Sequence, residues 1–122
     1  MPGMILLIDD EEIIRLTSGE ILNELGYEVV SAASGDEGMA ILKDKTDSIS
    51  LVMLDLSMPG KSGVEIYHEI KKLSPSIKVL LTSGFREDEN IEKMLQSADD
   101  GFIQKPYTIE ELSSRLSKME QR

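Results

Sequence analysis

The sequence predicts an α/β domain built on a five-stranded parallel sheet with helices on both faces. Two observations predict it. Five short, largely apolar runs recur along the chain, at Met4–Ile8, Glu28–Ala32, Leu51–Leu54, Lys78–Thr82 and Gly101–Gln104. Between them lie segments whose apolar residues return at helical spacing. Strict alternation of strand and helix favours parallel pairing through right-handed crossovers. The 122 residues fit a single domain, 1–122, long enough to bury a core without cross-links.

The first, third and fourth runs are almost continuously apolar, as strands buried on both faces should be. The second and fifth are weaker and suit positions at or near a sheet edge. Ile14, Ile21, Leu22 and Leu25 make the stripe of the first helix, and Gly26 offers its stop. Ser34 and Glu37 make a capping-box pair before Ile41 and Leu42. Ile66, Ile70 and Leu73 line a third helix, ended by Pro75. Ile91, Met94, Leu95 and Ala98 line a fourth. Thr108 and Glu111 cap a fifth, which carries Leu112, Leu116 and Met119.

Composition narrows the class of partner. Thirteen Lys and Arg face 23 Asp and Glu, a formal net charge of -10. Such a surface repels phosphate backbones and argues against direct nucleic-acid binding. There is no cysteine, so disulfides and thiolate metal sites are excluded. No apolar run approaches the ~18 residues of a membrane span. The expectation is a soluble, cytoplasmic chain with no membrane insertion.

In parallel sheets the ligand site lies beyond the carboxyl ends of the strands. Here the first strand runs into Asp9, Asp10, Glu11 and Glu12, and the third into Asp55. The fourth ends in Thr82, Ser83 and Gly84, and the fifth in Lys105 and Pro106. Crowded carboxylates need a cation or a raised pKa. Magnesium suits an all-oxygen set and leaves room for phosphate oxygens. A carboxylate can itself attack phosphorus to give an aspartyl phosphate. A cation and Lys105 would answer the charge on the phosphoryl oxygens, and the Thr82 hydroxyl could donate to one of them.

Each residue has an ordinary reading too. Acids after a strand suit the positive end of the next helix. Asp55 could cap a turn, Thr82 could be a plain strand-end hydroxyl, and Lys105 a surface lysine. The specificity lies in finding all of them at four strand ends at once. His68, on the third predicted helix, reads as an exposed residue without a role.

These pieces resemble the receiver domains of response regulators and hybrid sensor kinases. The matching motifs are Leu7-Ile8-Asp9-Asp10-Glu11, Leu54-Asp55-Leu56-Ser57-Met58-Pro59-Gly60, Leu81-Thr82-Ser83-Gly84 and Lys105-Pro106-Tyr107, and the likeness runs from about Met4 to about Met119. The resemblance implies a flavodoxin-like (βα)5 fold with strand order 2-1-3-4-5, similar to chemotaxis receivers. It implies Asp55 as phosphoacceptor. Asp9, Asp10, Asp55 and the Ser57 carbonyl would be ligands for magnesium, or manganese in its place. Lys105 would pair with the phosphoryl group, and Thr82 with Phe102 would form a switch. Ser57 and Gly84 match positions that tune phosphate lifetime. The implied donor is a sensor histidine kinase or a histidine phosphotransfer domain, with a downstream output protein or domain. A cis bond before Pro106 is also implied. The Thr82-Ser83-Gly84-Phe85 run and Glu-rich final helix resemble receivers attached to hybrid kinases.

Two rivals share features. A flavin-binding domain of this topology needs a hydroxyl- and glycine-rich phosphate loop after its first strand, where this chain has four acids. A phosphatase or phosphotransferase with an aspartyl nucleophile would carry Asp-x-Asp after its first strand and a larger cap. This chain places its candidate nucleophile after the third strand.

Overall fold

The computed structural model describes residues 3–58, 63–84 and 100–120. In chain order the elements are β1 Met4–Ile8, α1 Glu12–Glu24, β2 Glu28–Ala32, α2 Gly35–Asp44, β3 Ile49–Asp55, α3 Gly63–Leu73, β4 Lys78–Ser83, β5 Gly101–Gln104 and α4 Ile109–Glu120. The last corresponds to the fifth helix expected from the sequence; the expected fourth, around Ile91 to Ala98, lies outside the described residues. Every strand pair is parallel, in the order β2-β1-β3-β4-β5.

That order explains the unequal strand patterns. The continuous apolar runs form β1, β3 and β4, which have neighbours on both sides and helices above and below. The weaker runs form β2 and β5, the two edges. Within β1, alternate residues serve opposite faces, as the two-residue period of a strand requires. Leu6 and Ile8 join Val52, Leu54 and Leu81 under Leu42 of α2 and Ile66 and Ile70 of α3. Ile5 and Leu7 join Met53, Leu80 and Ile103 under Leu22 of α1 and Leu112 and Leu116 of α4.

The helix ends follow their local signals. Gly26 has φ 100°, beyond the reach of most side chains, and it terminates α1. Its N–H donates to the Asn23 carbonyl and that of Tyr27 to the Leu22 carbonyl, a Schellman closure. Ser34 Oγ accepts from the Glu37 N–H at 3.1 Å. Glu37 answers by accepting from Ala33, one residue earlier than the usual box partner. At α4 the box is complete: Thr108 and Glu111 each accept the other's backbone N–H.

Two expected core residues sit differently. Leu73 is 37% exposed. The buried stripe of α3 advances by fours, through Ile66 and Ile70 and through Tyr67 and Lys71, and Leu73 falls on its border. Ile14 is half-buried and faces a cleft between α1 and the segment after β5 rather than the core.

Candidate functional site

Three backbone hydrogen bonds carry the sheet's pairing past the ends of its strands. Asp9 N–H donates to Ala32 O at 3.1 Å, Leu56 N–H to Thr82 O at 2.9 Å, and Lys105 N–H to Ser83 O at 2.8 Å. The side chains at these ends therefore rise from fixed backbone. Asp55 is the last residue of β3 and lies in register with Thr82 of β4. Asp9, Asp55 and Thr82 are buried, and Asp10 is exposed.

Asp9, Asp10 and Asp55 each bring one carboxylate oxygen to within 4.8 Å of the others. Lys105 Nζ lies 2.6 Å from Asp9 Oδ2 and 3.1 Å from Asp55 Oδ2, bridging the two buried acids. Each of those acids also accepts one nearby backbone N–H, Asp9 Oδ1 from Glu11 and Asp55 Oδ1 from Ser57, both at 2.9 Å. Burial alone would push the Lys105 ammonium down. The hydrogen bond it donates to Asp9 and the charges of Asp55 and Asp9 outweigh it and hold the group above its ordinary value.

One ammonium thus bridges two carboxylates with a third close by, and a negative surplus remains. The donor set is all oxygen, and its third member faces solvent. Such a set fits a hard divalent ion that keeps several waters. These residues fit magnesium, and Asp9, Asp10 and Asp55 could hold it.

The structure thus brings together Asp9, Asp10, Asp55 and Lys105, with Thr82 beside Asp55 in the neighbouring strand. Ser57 and Gly84 line, with Lys105 and Glu11, one end of a cleft of about 590 Å³ that runs along α1 past Ile14 to Tyr107. Phe102 is half-buried on edge strand β5 and packs against the α2–α3 side of the core. The Lys105–Pro106 bond is cis, as expected. His68 is exposed on α3, edge-on to the Tyr67 ring.

Three polar groupings escaped the reading of the sequence. Arg15 reaches back from α1 and donates to the Asp9 backbone carbonyl at 2.8 Å. The Ser18 and Tyr107 hydroxyls meet at 2.6 Å and fasten the segment after Lys105 onto α1. Asp100, at the foot of β5, collects Tyr67, Lys71 and the Val79 N–H. The only linear signal was a tyrosine and a lysine four apart inside an apolar stripe.

Compared with known proteins, the model of the response regulator receiver domain family matches residues 5–117. The chain belongs to that family. Receiver domains are the phosphoacceptor signalling switches of two-component systems. This receiver is 30% identical over 119 residues to sporulation initiation phosphotransferase F of Bacillus subtilis, covering 97% of the chain and 94% of that protein. It is 31% identical over 115 residues to the sensor kinase CckA of Brucella abortus, covering 94% of the chain but 12% of the kinase. Likewise it spans 30% of a cyclic di-GMP phosphodiesterase of Thermotoga maritima. Among solved structures, a receiver domain protein of Clostridium thermocellum superposes with a TM-score of 0.88 at 35% identity, covering 98% of this chain and 95% of that one. Strand order, parallel sheet and family all agree with the expectations drawn from the sequence. No helix among the described residues is long and apolar enough to cross a membrane.

Proposed function

We propose that this receiver takes a phosphoryl group onto the Asp55 carboxylate from a phosphohistidine of a sensor kinase or a histidine phosphotransfer domain. The observation that carries the reading is the meeting of Asp9, Asp10 and Asp55 around Lys105 at the carboxyl edge of the sheet. An Asp55 oxygen attacks phosphorus, the phosphorus–nitrogen bond to the donor imidazole breaks, and the electron pair leaves on that nitrogen. Asp9, Asp10, Asp55 and the Ser57 carbonyl would hold magnesium, or manganese, which would supply positive charge to the phosphoryl oxygens. Lys105 is already 3.1 Å from Asp55 and can follow the new charge without a search. The Ser57 N–H, aimed at Asp55 Oδ1, helps to hold the attacking carboxylate in place.

The same pocket ends the signal when water attacks phosphorus: the phosphorus–oxygen bond to Asp55 breaks, the carboxylate is restored and inorganic phosphate leaves. Ser57 and Gly84 line the adjoining cleft, and their small size favours access for that water. Readout runs through Thr82, whose hydroxyl turns to the phosphoryl oxygens, and through Phe102, half-buried and able to follow into the vacated space. A downstream output protein or domain reads the changed surface.

Incubation with acetyl phosphate and magnesium tests the reading. Intact mass shows one added phosphoryl group in the parent and none in Asp55→Asn; equal labelling of the variant refutes the assignment. With beryllofluoride as phosphoryl mimic, amide shifts in the parent reach β5 and α4. In Thr82→Ala they stay at the pocket. Distant shifts that survive loss of the hydroxyl rule out Thr82 as the coupling.

A further inference from the structure

Asp9 is tied at every polar atom. Its N–H donates to Ala32, its Oδ1 accepts from Glu11, its Oδ2 meets Lys105, and its backbone carbonyl accepts from Arg15 Nη1 at 2.8 Å. The first three contacts hold the strand end and the carboxylate. The fourth acts on something else. The Asp9 carbonyl and the Asp10 N–H share one rigid peptide plane, so fixing that oxygen fixes the plane from which Asp10 departs. Asp10 itself is exposed, and among the described residues the side-chain bond to this plane is that of half-buried Arg15.

From this geometry we propose that Arg15 is a positioning residue for the metal site: it sets the peptide plane that aims Asp10 at the ion. The proposal rests on the reading that Asp9, Asp10 and Asp55 bind magnesium. The brace is stiff because Arg15 stands on the face of α1 that also carries Ser18, three residues on. Ser18 is bonded to Tyr107, two residues past Lys105. One helix face therefore holds both the acidic turn and the lysine segment, and Lys105 closes the ring by bonding Asp9.

Charge and positioning predict opposite signs. If Arg15 acted only as a nearby cation, its removal would tighten binding of a divalent ion, because like charges repel. If it aims Asp10, removal weakens binding, by about tenfold on the scale of outer-shell partners of metal ligands.

The experiment is a magnesium chloride titration followed by amide chemical shifts in the parent, Arg15→Ala, Arg15→Gln and Asp10→Asn, with metal-free thermal melts of each. The expected result is saturable binding in the parent, loss in Asp10→Asn, and a dissociation constant about ten times larger in both Arg15 variants. Arg15→Gln keeps much of the side-chain stem and carries the test if Arg15→Ala does not fold. A role in structure alone would lower the metal-free melting temperature and leave the dissociation constant unchanged. Unchanged or tighter binding in either folded variant overturns the inference while the magnesium reading stands. A parent that does not bind magnesium overturns both.

Discussion

Lys105 and Lys71 each meet a buried aspartate, but they leave different charge behind. Lys71 Nζ donates to Asp100 Oδ1 at 3.1 Å and to the Ile77 carbonyl at 2.8 Å. Asp100 also accepts the Val79 N–H at 2.9 Å and the Tyr67 hydroxyl at 2.5 Å. Among the described residues that cluster pairs one acid with one base, and each oxygen of the acid has a partner. It ties α3 to the starts of β4 and β5. Lys105, at the opposite edge of the sheet, is divided between Asp9 and Asp55, with Asp10 close by. The same two residue types thus make a closed structural clasp at one end and a charge-unbalanced pocket at the other. The proposed phosphoacceptor lies where the carboxylates outnumber the ammonium.

The largest expected effect belongs to the closed clasp. Asp100→Ala leaves a buried ammonium without its acid and should cost about 3–5 kcal/mol of stability. Urea unfolding measures it. Added magnesium should stabilise this variant no more than it stabilises the parent, since among the described residues the clasp has a single acid and no surplus to bind an ion. A larger gain in the variant would erase the contrast between the two ends.

A smaller loss, about 2 kcal/mol, is expected for Lys105→Met without metal, because the variant leaves Asp9 and Asp55 facing each other. Magnesium should restore most of it by occupying the same gap. The folded-state pKa of Lys105 is raised above its ordinary 10.5. The link is therefore fully present below that value and is lost only as pH rises through the higher folded value. The stability difference between parent and Lys105→Met should stay flat from about pH 6 to 9. A difference that shrinks across that range contradicts a protonated bridge.

Asp10→Asn should show the smallest change, and of opposite sign. Removing the third carboxylate stabilises the metal-free protein, by roughly 0.5 kcal/mol because solvent screens this exposed group. The variant should also lose most of the stabilisation by magnesium seen in the parent. Thermal melts with and without the ion decide it, and an equal response in both removes Asp10 from the metal site.

Which of these features could be read from sequence follows from how each is encoded. Asp9, Asp55, Thr82 and Lys105 stand at the carboxyl ends of four strands, and parallel topology sends every such end to one edge. Their meeting was legible before any contact was known. The clasp was not, because Lys71 and Asp100 are 29 residues apart and each looks like a surface residue in one dimension. Only the β4–β5 pairing and the turn of α3 bring them together. Arg15 was hidden for a related reason: its partner is a backbone carbonyl, which leaves no mark on residue type. The exposure of Leu73 shows what spacing alone leaves open, since one residue at the border of a stripe turns outward without disturbing the rest.

The central claim is that the pocket with surplus carboxylates, and within it Asp55, accepts the phosphoryl group. Hydride reduction tests it most directly, because borohydride converts an aspartyl phosphate to homoserine and leaves free carboxylates untouched. The parent is treated with acetyl phosphate and magnesium, reduced, digested and sequenced by mass spectrometry. The account predicts homoserine at position 55 alone, with Asp9, Asp10 and Asp100 intact. Homoserine at position 9, 10 or 100 in place of 55 would contradict it.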